Sequence, residues 1–137
     1  MSEQAQALAR LEEEMRRPPF HAVLAPQAHA VDPESGEVVI RLPFHPDFGR
    51  DPVHVGFHGG VIASLIDLAG HAAVAVKVGK PTPTVDLRID YLRPAPGVTL
   101  EARARVLRAG RAIARADIDV LADGVLVAVG RGTFSTL

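Results

Sequence analysis

The chain has 137 residues, of which 47% are hydrophobic, so it is long enough to form one domain around a buried core. Fifteen basic and sixteen acidic side chains give a formal net charge of −1, which excludes the strongly basic surface of a nucleic-acid-binding or membrane-surface protein. The absence of cysteine excludes disulfides, thiolate nucleophiles and cysteine-based metal sites.

The first part of the chain predicts a short helix rather than a targeting segment. Leu8, Leu11 and Met15 recur at helical spacing over residues 3–16, and two prolines then end the pattern. Charged side chains stand where a signal peptide needs an apolar run. We therefore expect residues 1–20 to be a helical N-terminal segment of a single domain spanning 1–137, in a cytoplasmic protein.

Two strands are expected next. Residues 23–31 favour a strand that is broken or lies at an edge, because Pro26 interrupts it. Residues 38–44 alternate between apolar and other side chains, which predicts a second strand with an apolar inner face. Residues 44–57 contain several prolines and glycines and predict an irregular loop.

A strongly apolar segment follows, over residues 61–78. A helix that is apolar on nearly every face is a buried helix, and Gly79 with Pro81 ends it. The segment is shorter than the roughly 20 residues that a spanning helix needs, and polar residues interrupt it, so we expect no membrane association. Those residues are Ser64, Asp67, His71 and Lys77.

The second half of the chain predicts four strands in a meander. Alternating apolar residues mark strands near 85–91, 100–106, 114–120 and 125–134. Asp123-Gly124 predicts a hairpin, because both central residues of that turn need a positive φ. This order of elements predicts an α+β fold, in which one antiparallel sheet of five to six strands wraps around one long central helix.

Asp67 is the most informative residue of the apolar helix. It is the only acidic residue between Asp51 and Asp86, and burying an unpaired carboxylate costs several kcal/mol. Sequences that keep such a group pair it or use it. Ser64, Asp67 and His71 fall at i, i+3 and i+7 and form a polar stripe. An internal network among these three residues is therefore an open alternative to a catalytic role.

The triplet His58-Gly59-Gly60 precedes this helix. The first N–H groups of a helix have no intrahelical partners and lie at the positive end of its dipole. They could polarise a carbonyl and stabilise an oxyanion, and glycines would let a ligand approach the backbone. The alternative is a flexible helix start, with His58 as a loop or capping residue.

The two features are too far apart to act within one subunit. Gly59 and Asp67 are separated by eight residues, or about 12 Å of helix. Reacting atoms must approach to about 3 Å, so one carbonyl cannot touch both groups of the same chain. If both act, the carboxylate belongs to a neighbouring chain, and a dimer with antiparallel helices is expected.

Three segments of the sequence resemble a known family. Residues 58–67, HGGVIASLID, are similar to the HGG-x6-D signature of the hotdog thioesterases, in the branch of the phenylacetate-degradation thioesterases. Residues 84–95, TVDLRIDYLRPA, resemble that family's strand ending in Tyr-x-x-Pro-Ala, and Gly110-Arg111 with residues 127–134 matches its next turn and last strand. The resemblance extends from about residue 36 to the C-terminus.

The resemblance implies a hotdog fold, hydrolysis of an acyl-CoA thioester without a cofactor, and a dimer or a dimer of dimers with composite active sites. It implies that Asp67 is the nucleophile or general base and that the Gly59 N–H polarises the thioester carbonyl. His58 would orient the substrate, and Thr84 would position the attacking water. The substrate-binding residues implied are Gly60, Ser64, Tyr91, Arg93, Arg108 and Arg111, the arginines as phosphate partners.

One position departs from the family pattern. Members commonly carry an Asn six residues before the His of HGG, and this chain has Pro52 there. Asp51 or His54 would have to substitute, or the loop is reshaped, so the water-positioning geometry differs.

Other functions remain open from the sequence. A hotdog hydratase or dehydratase would pair a His with an acid, as His71 and Asp67 could, but the hallmark loop of that class is absent. No metal is expected, because His54 and His58 lie in a loop and form no His-Glu-x-x-His pattern. A non-catalytic acyl-CoA-binding hotdog protein is disfavoured by the intact Asp67, while Pro52 leaves it open.

Overall fold

The computed structural model describes all residues, 1–137. The chain has three helices: α1 (Glu3–Arg16), the one-turn α2 (His21–Leu24) and the long α3 (Gly59–Val78). A 3₁₀ turn, Pro46–Phe48, lies in the loop before α3. The six strands are β1 (Gln27–Val31), β2 (Val38–Leu42), β3 (Thr84–Tyr91), β4 (Leu100–Ala109), β5 (Ile113–Ala122) and β6 (Val125–Ser135).

All strands belong to one antiparallel sheet in the order β1-β2-β4-β5-β6-β3. The α+β prediction of one sheet with one long helix is confirmed, but the meander is wrong for β3, which pairs with β6 and not with β4. Strand β4 pairs with β2 on one side and β5 on the other, so it has no free edge for β3. The connection over residues 92–99 contains two prolines and is too long for a tight hairpin, so it carries the chain across the sheet. As a result, β3 is an edge strand.

One further boundary differs from the prediction. The strand expected over residues 23–31 begins only at Gln27, because α2 occupies its first residues and Ala25 ends that helix in the left-handed region, at φ 56°. Proline at position 26 then restarts the chain in an extended form. The Asp123-Gly124 hairpin is confirmed, with φ values of 48° and 77°.

Helix α3 packs on one face of the sheet and forms the centre of the core with Leu65 and Ile66, both fully buried. It is 20 residues long, and by length and hydropathy alone it could cross a membrane, so the expected shortfall in length is wrong. Its apolar character is accounted for by burial, because the sheet and α1 cover it.

Small residues bring α3 close to the sheet near Asp67. A Cβ added at Gly130 would overlap the Cγ2 of Ile66, and one added at Gly70 would lie 2.8 Å from the ring of Phe134. These approaches need glycine, since real Cβ atoms do not pack at such distances. The turn of α3 that carries Asp67 is therefore held directly on β6.

We predict that Gly130→Ala lowers the free energy of unfolding by about 1–3 kcal/mol, because the added methyl overpacks against Ile66. Ile66→Ala alone should lower it by about 2–5 kcal/mol through the cavity it leaves. In the double variant the new methyl enters that cavity. Urea denaturation should therefore show a smaller loss in the free energy of unfolding for the double variant than the sum of the two single losses. Strict additivity would contradict this account of how α3 is seated.

Candidate active site

Asp67 is half-buried on α3, and one of its two carboxylate oxygens is fixed. The Thr84 hydroxyl, at the start of β3, donates a 2.6 Å hydrogen bond to Oδ1. Neither Ser64 nor His71 bonds to Asp67: the Ser64 hydroxyl donates to the Gly60 carbonyl at 2.9 Å, and His71 bonds elsewhere. The internal network of these three helix residues is therefore absent, and Oδ2 keeps its lone pairs available.

His58 caps the start of α3. Its Nδ1 accepts a 2.8 Å hydrogen bond from the Gly60 N–H, and its carbonyl accepts from the N–H groups of Val61 and Ile62 at 3.0 and 3.4 Å. The Gly59 N–H makes no such bond and is the one donor of the first turn left open. Because Nδ1 is an acceptor, the ring carries its proton on Nε2, and the side chain is exposed.

The two glycines of the triplet have different tasks. A Cβ at Gly60 would lie 3.0 Å from the His58 Nδ1, so glycine is needed there for the cap to form. A Cβ at Gly59 would make only ordinary contacts with the Tyr91 ring, at 3.4 Å or more. Glycine at 59 leaves the backbone open to a ligand.

The Tyr-x-x-Pro-Ala segment braces this turn. The Tyr91 hydroxyl donates a 2.6 Å hydrogen bond to the Gly59 carbonyl, and the carbonyl of the buried Ala95 accepts from the Phe57 N–H at 3.0 Å. The carbonyl of Phe48 accepts from the His58 N–H at 2.8 Å. Sequence reasoning predicted Tyr91 as a substrate contact and missed the contributions of Phe48 and Ala95, because backbone carbonyls leave no signal in residue type.

The three arginines predicted as phosphate partners, Arg93, Arg108 and Arg111, are exposed, and none forms an ion pair within the chain. Elsewhere on the sheet arginines are paired. Arg131 binds Asp117 through two hydrogen bonds of 2.6 and 3.0 Å, and this contact lowers the pKa of the Asp117 carboxyl. The unpaired guanidinium groups keep all their donors for a ligand.

The predicted site residues fall into two groups at opposite ends of β3. Thr84 contacts Asp67, whereas Tyr91 contacts Gly59, so β3 runs antiparallel to α3. The acid end comprises Asp67, Thr84, Arg108 and Arg111, and the amide end comprises His58, Gly59, Gly60, Tyr91 and Arg93. Ser64 lies between them on α3. One chain does not bring the two ends together, since about 12 Å of helix separates them.

An apolar groove of about 330 Å³ opens beside the amide end. Phe20 and Val23 of the N-terminal segment line it and are 53% and 68% exposed, although both are strongly apolar. His58, Gly60 and Ser64 form its floor on α3. Sequence reasoning did not identify this groove, because a strand was expected to begin at Val23, which lies in α2.

The loop that departs from the family pattern is closed on itself. Oδ1 of Asp51 accepts from the N–H groups of Val53 and His54 at 2.7 and 3.3 Å, and these bonds lower the pKa of the Asp51 carboxyl. The His54 ring also faces this carboxylate, at 3.5 Å. Asp51 and His54 are therefore engaged with each other within one turn, and Pro52 lies inside that turn.

The sequence is similar to proteins of one family. The profile of the thioesterase superfamily matches residues 57–129. A Halobacterium salinarum protein named as an inferred esterase is 40% identical over 115 residues, 75% of this chain and 76% of that protein. The medium/long-chain acyl-CoA thioesterase YigI of Escherichia coli K12 is 35% identical over 97 residues, 53% of this chain and 61% of that enzyme.

Solved structures agree with this relationship. A crystal structure from the thioesterase superfamily superposes with a TM-score of 0.89 at 33% identity, over 96% of this chain and 98% of that one. A mutant of the phenylacetic acid degradation protein PaaI from Thermus thermophilus superposes with a TM-score of 0.75 at 30% identity, over 88% and 100% of the two chains. The chain therefore belongs to the thioesterase superfamily and is a thioesterase with the hotdog fold.

Proposed function

We propose that this thioesterase hydrolyses an acyl-CoA to free CoA and a carboxylate, with Asp67 as nucleophile or general base. The observation that carries the proposal is the Asp67 side chain, held at Oδ1 by Thr84 and open at Oδ2. A carboxylate with one fixed and one available oxygen suits attack on a carbonyl or activation of water. The named acyl-CoA thioesterases among its relatives support CoA as the thiol carrier.

The active site is completed by a second copy of the chain. The outer edge of β3 has no strand partner, and an open edge pairs readily with another strand. Antiparallel pairing of two β3 strands about a two-fold axis places the acid end of one subunit beside the amide end of the other. Asp67 would then act on a carbonyl polarised by the Gly59 N–H of the partner subunit.

The charges on β3 favour registers that place Asp opposite Arg. Two pairings do so, centred on Leu87 and on Ile89, and the first brings Thr84 closer to the partner's Tyr91. Residues directly opposite each other in an antiparallel pair lie on the same face. In the pairing centred on Leu87, Asp86 lies opposite the partner's Arg88 on both sides of the two-fold axis. The same pairing places Thr84 next to the partner's Tyr91. Pairing centred on Arg88 would instead oppose two guanidinium groups, which is unfavourable.

The chemistry follows from this arrangement. The thioester carbonyl oxygen accepts a hydrogen bond from the Gly59 N–H at the positive end of α3, which stabilises the negative charge that develops on it. Oδ2 of Asp67 attacks the carbonyl carbon or removes a proton from the attacking water, and Thr84 keeps the carboxylate in place. The C–S bond breaks and the CoA sulfur takes up a proton. If Asp67 is the base, the water oxygen is already bonded to the acyl carbon; if Asp67 is the nucleophile, water then hydrolyses the acyl–Asp67 anhydride, and either route releases the acyl group as a carboxylate. His58, through Nε2–H, lies near the sulfur.

The remaining contacts divide between the two ends of the substrate. Arg93, Arg108 and Arg111 bind the CoA phosphates, because unpaired guanidinium groups suit phosphate oxygens. The acyl group enters the groove lined by Phe20 and Val23, whose apolar side chains lose water when it binds.

We predict that Asp67→Asn lowers kcat by about 10³-fold, because the amide keeps the Thr84 contact but is neither a base nor a nucleophile. Thiol release from a panel of short, long and aromatic acyl-CoAs measures the effect. Asp123→Asn, in the β5–β6 turn far from the site, is the matched control and should keep wild-type activity. Undiminished hydrolysis by Asp67→Asn would remove Asp67 from the mechanism.

A second prediction concerns the Gly59 N–H. Gly59→Pro removes this donor at the first helical position, where proline is accepted, and the preceding His58 already has the extended ψ of 137° that proline requires. We expect kcat to fall by about 10²–10³-fold, the usual effect of losing an oxyanion donor. Gly59→Ala keeps the N–H and should keep most of kcat. Equal losses in both variants would point to steric exclusion of the substrate instead.

A third prediction tests the register of the dimer. Asp86→Arg places cationic side chains opposite each other on both sides of the two-fold axis. This repulsion should raise the dimer dissociation constant about tenfold. The charge swap Asp86→Arg with Arg88→Asp restores opposite charges and should restore association, measured by sedimentation velocity over a dilution series. If the single and double variants associate equally, the register centred on Leu87 is wrong.

A further inference from the structure

A buried carboxylate of the N-terminal helix faces α3. The Glu14 side chain is only 2% exposed, yet it is a carboxylate. Its oxygens lie 2.9 Å from Arg17, 3.7 Å from Arg10 and 3.8 Å from Nδ1 of His71. A carboxylate at this depth needs such partners, because desolvation of an unpaired charge costs several kcal/mol.

The hydrogen bond that His71 accepts indicates its protonation state. Nε2 accepts a 3.1 Å hydrogen bond from the backbone N–H of Thr82, so Nε2 carries no proton. The ring proton is therefore on Nδ1, which faces the Glu14 carboxylate. His71 is a neutral imidazole whose two nitrogens contact different elements.

The contact with Thr82 controls the segment that carries Thr84. Asp67 and His71 are one turn apart on α3, and they hold Thr84 and Thr82, which are two residues apart on the opposing segment. Pro83, between the two threonines, accepts a 2.8 Å hydrogen bond from the Ser135 N–H of β6. Two side chains of α3 thus set the position of this segment along the helix, and β6 holds it from the other side.

The His71 contact has no substitute from solvent. Thr82 is fully buried, so its N–H would be left unpaired if His71 did not accept. An unpaired buried N–H is destabilising enough for the segment to shift toward water. Any such shift would move the Thr84 hydroxyl away from the Asp67 carboxylate.

We propose that His71 is a positioning residue for thioester hydrolysis, and that its neutral ring holds Thr82 so that the Thr84 hydroxyl stays on Asp67. The proposal rests on the proposed role of Asp67. His71 touches neither substrate nor reacting atoms and acts through the Thr82–Thr84 segment. Glu14 faces Nδ1 at 3.8 Å, beyond hydrogen-bond distance, and acts on the ring through its charge.

The charges around His71 set the direction of its pH dependence. Burial lowers the pKa of the His71 imidazole, Glu14 and Asp67 raise it, and Arg17 and His21 lower it, with the net result below the ordinary value of 6.5. The sheet side offers the uncharged ring of Phe134. The ring is therefore neutral at neutral pH, and as the pH falls through the lowered pKa a proton on Nε2 would face the Thr82 N–H and break the contact.

The first test compares two variants. His71→Gln keeps an acceptor near the Nε2 position, whereas His71→Leu has a similar size and no acceptor. We expect His71→Leu to lower kcat about 10–100-fold with KM nearly unchanged, because misplacement of a catalytic group acts on the chemical step. His71→Gln should keep kcat within a few-fold, and should lose the fall in kcat that we expect of the wild-type enzyme as the pH drops through the lowered pKa of His71.

A double-variant cycle separates positioning from simple stabilisation. Thr84→Val removes the hydroxyl that His71 is proposed to place, so adding His71→Leu to Thr84→Val should lower kcat less than twofold further. If His71 only stabilises the fold, His71→Leu should lower kcat by the same factor in the wild-type and Thr84→Val backgrounds, once activity is corrected for the folded fraction. That outcome, or wild-type kcat in His71→Leu, would overturn the proposal.

A readout independent of activity distinguishes this proposal from the proposed function. Amide hydrogen exchange at Thr82, followed by NMR, should be slow in the wild type and in His71→Gln and faster in His71→Leu. Equal protection in all three would refute the contact itself. If Thr82 behaves as expected while Asp67→Asn remains active, the assignment of Asp67 fails and the positioning role for hydrolysis fails with it. If Asp67→Asn is inactive and His71→Leu is not, the positioning role alone fails.

Discussion

The hydrogen bond from the Thr84 hydroxyl to Asp67 is the interaction on which the rest of this site depends. It joins the middle of the core helix to the first residue of an edge strand, and it fixes one carboxylate oxygen while leaving the other open. Its geometry requires α3 to lie close on β6, which Gly130 permits, and it requires residues 82–84 to be held in place. The packing of α3 on β6 therefore also fixes the position of the Asp67 carboxylate.

The opposite directions of α3 and β3 divide the site. The carboxylate lies at one end of the strand and the open Gly59 N–H at the other, and a rigid helix cannot bring them together. The same division places two of the three unpaired arginines at the acid end and one at the amide end. In the dimer that we propose, the free edge of β3 brings the two groups together across a pair of subunits.

Local features could be predicted from the sequence, and long-range ones could not. The bounds of α1 and the Asp123-Gly124 hairpin followed from helical spacing and turn chemistry, and the spacing of HGG and Asp67 indicated the family. The neighbour of β3 did not follow, because strand pairing depends on which edges other strands leave free. The contacts of His71 were equally hidden, since they are made with a backbone N–H eleven residues away and a carboxylate on another helix.

The central claim is that each active site takes Asp67 from one subunit and the Gly59 N–H from the other. The most direct measurement is the thiol-release activity of a mixture in which inactive Asp67→Asn chains and inactive Gly59→Pro chains are unfolded and refolded together. Random pairing makes half the dimers mixed, each with one intact site, so activity should return to about a quarter of the wild-type value. If the co-refolded mixture is no more active than the two variants refolded separately, each chain carries its own complete site and the account is contradicted.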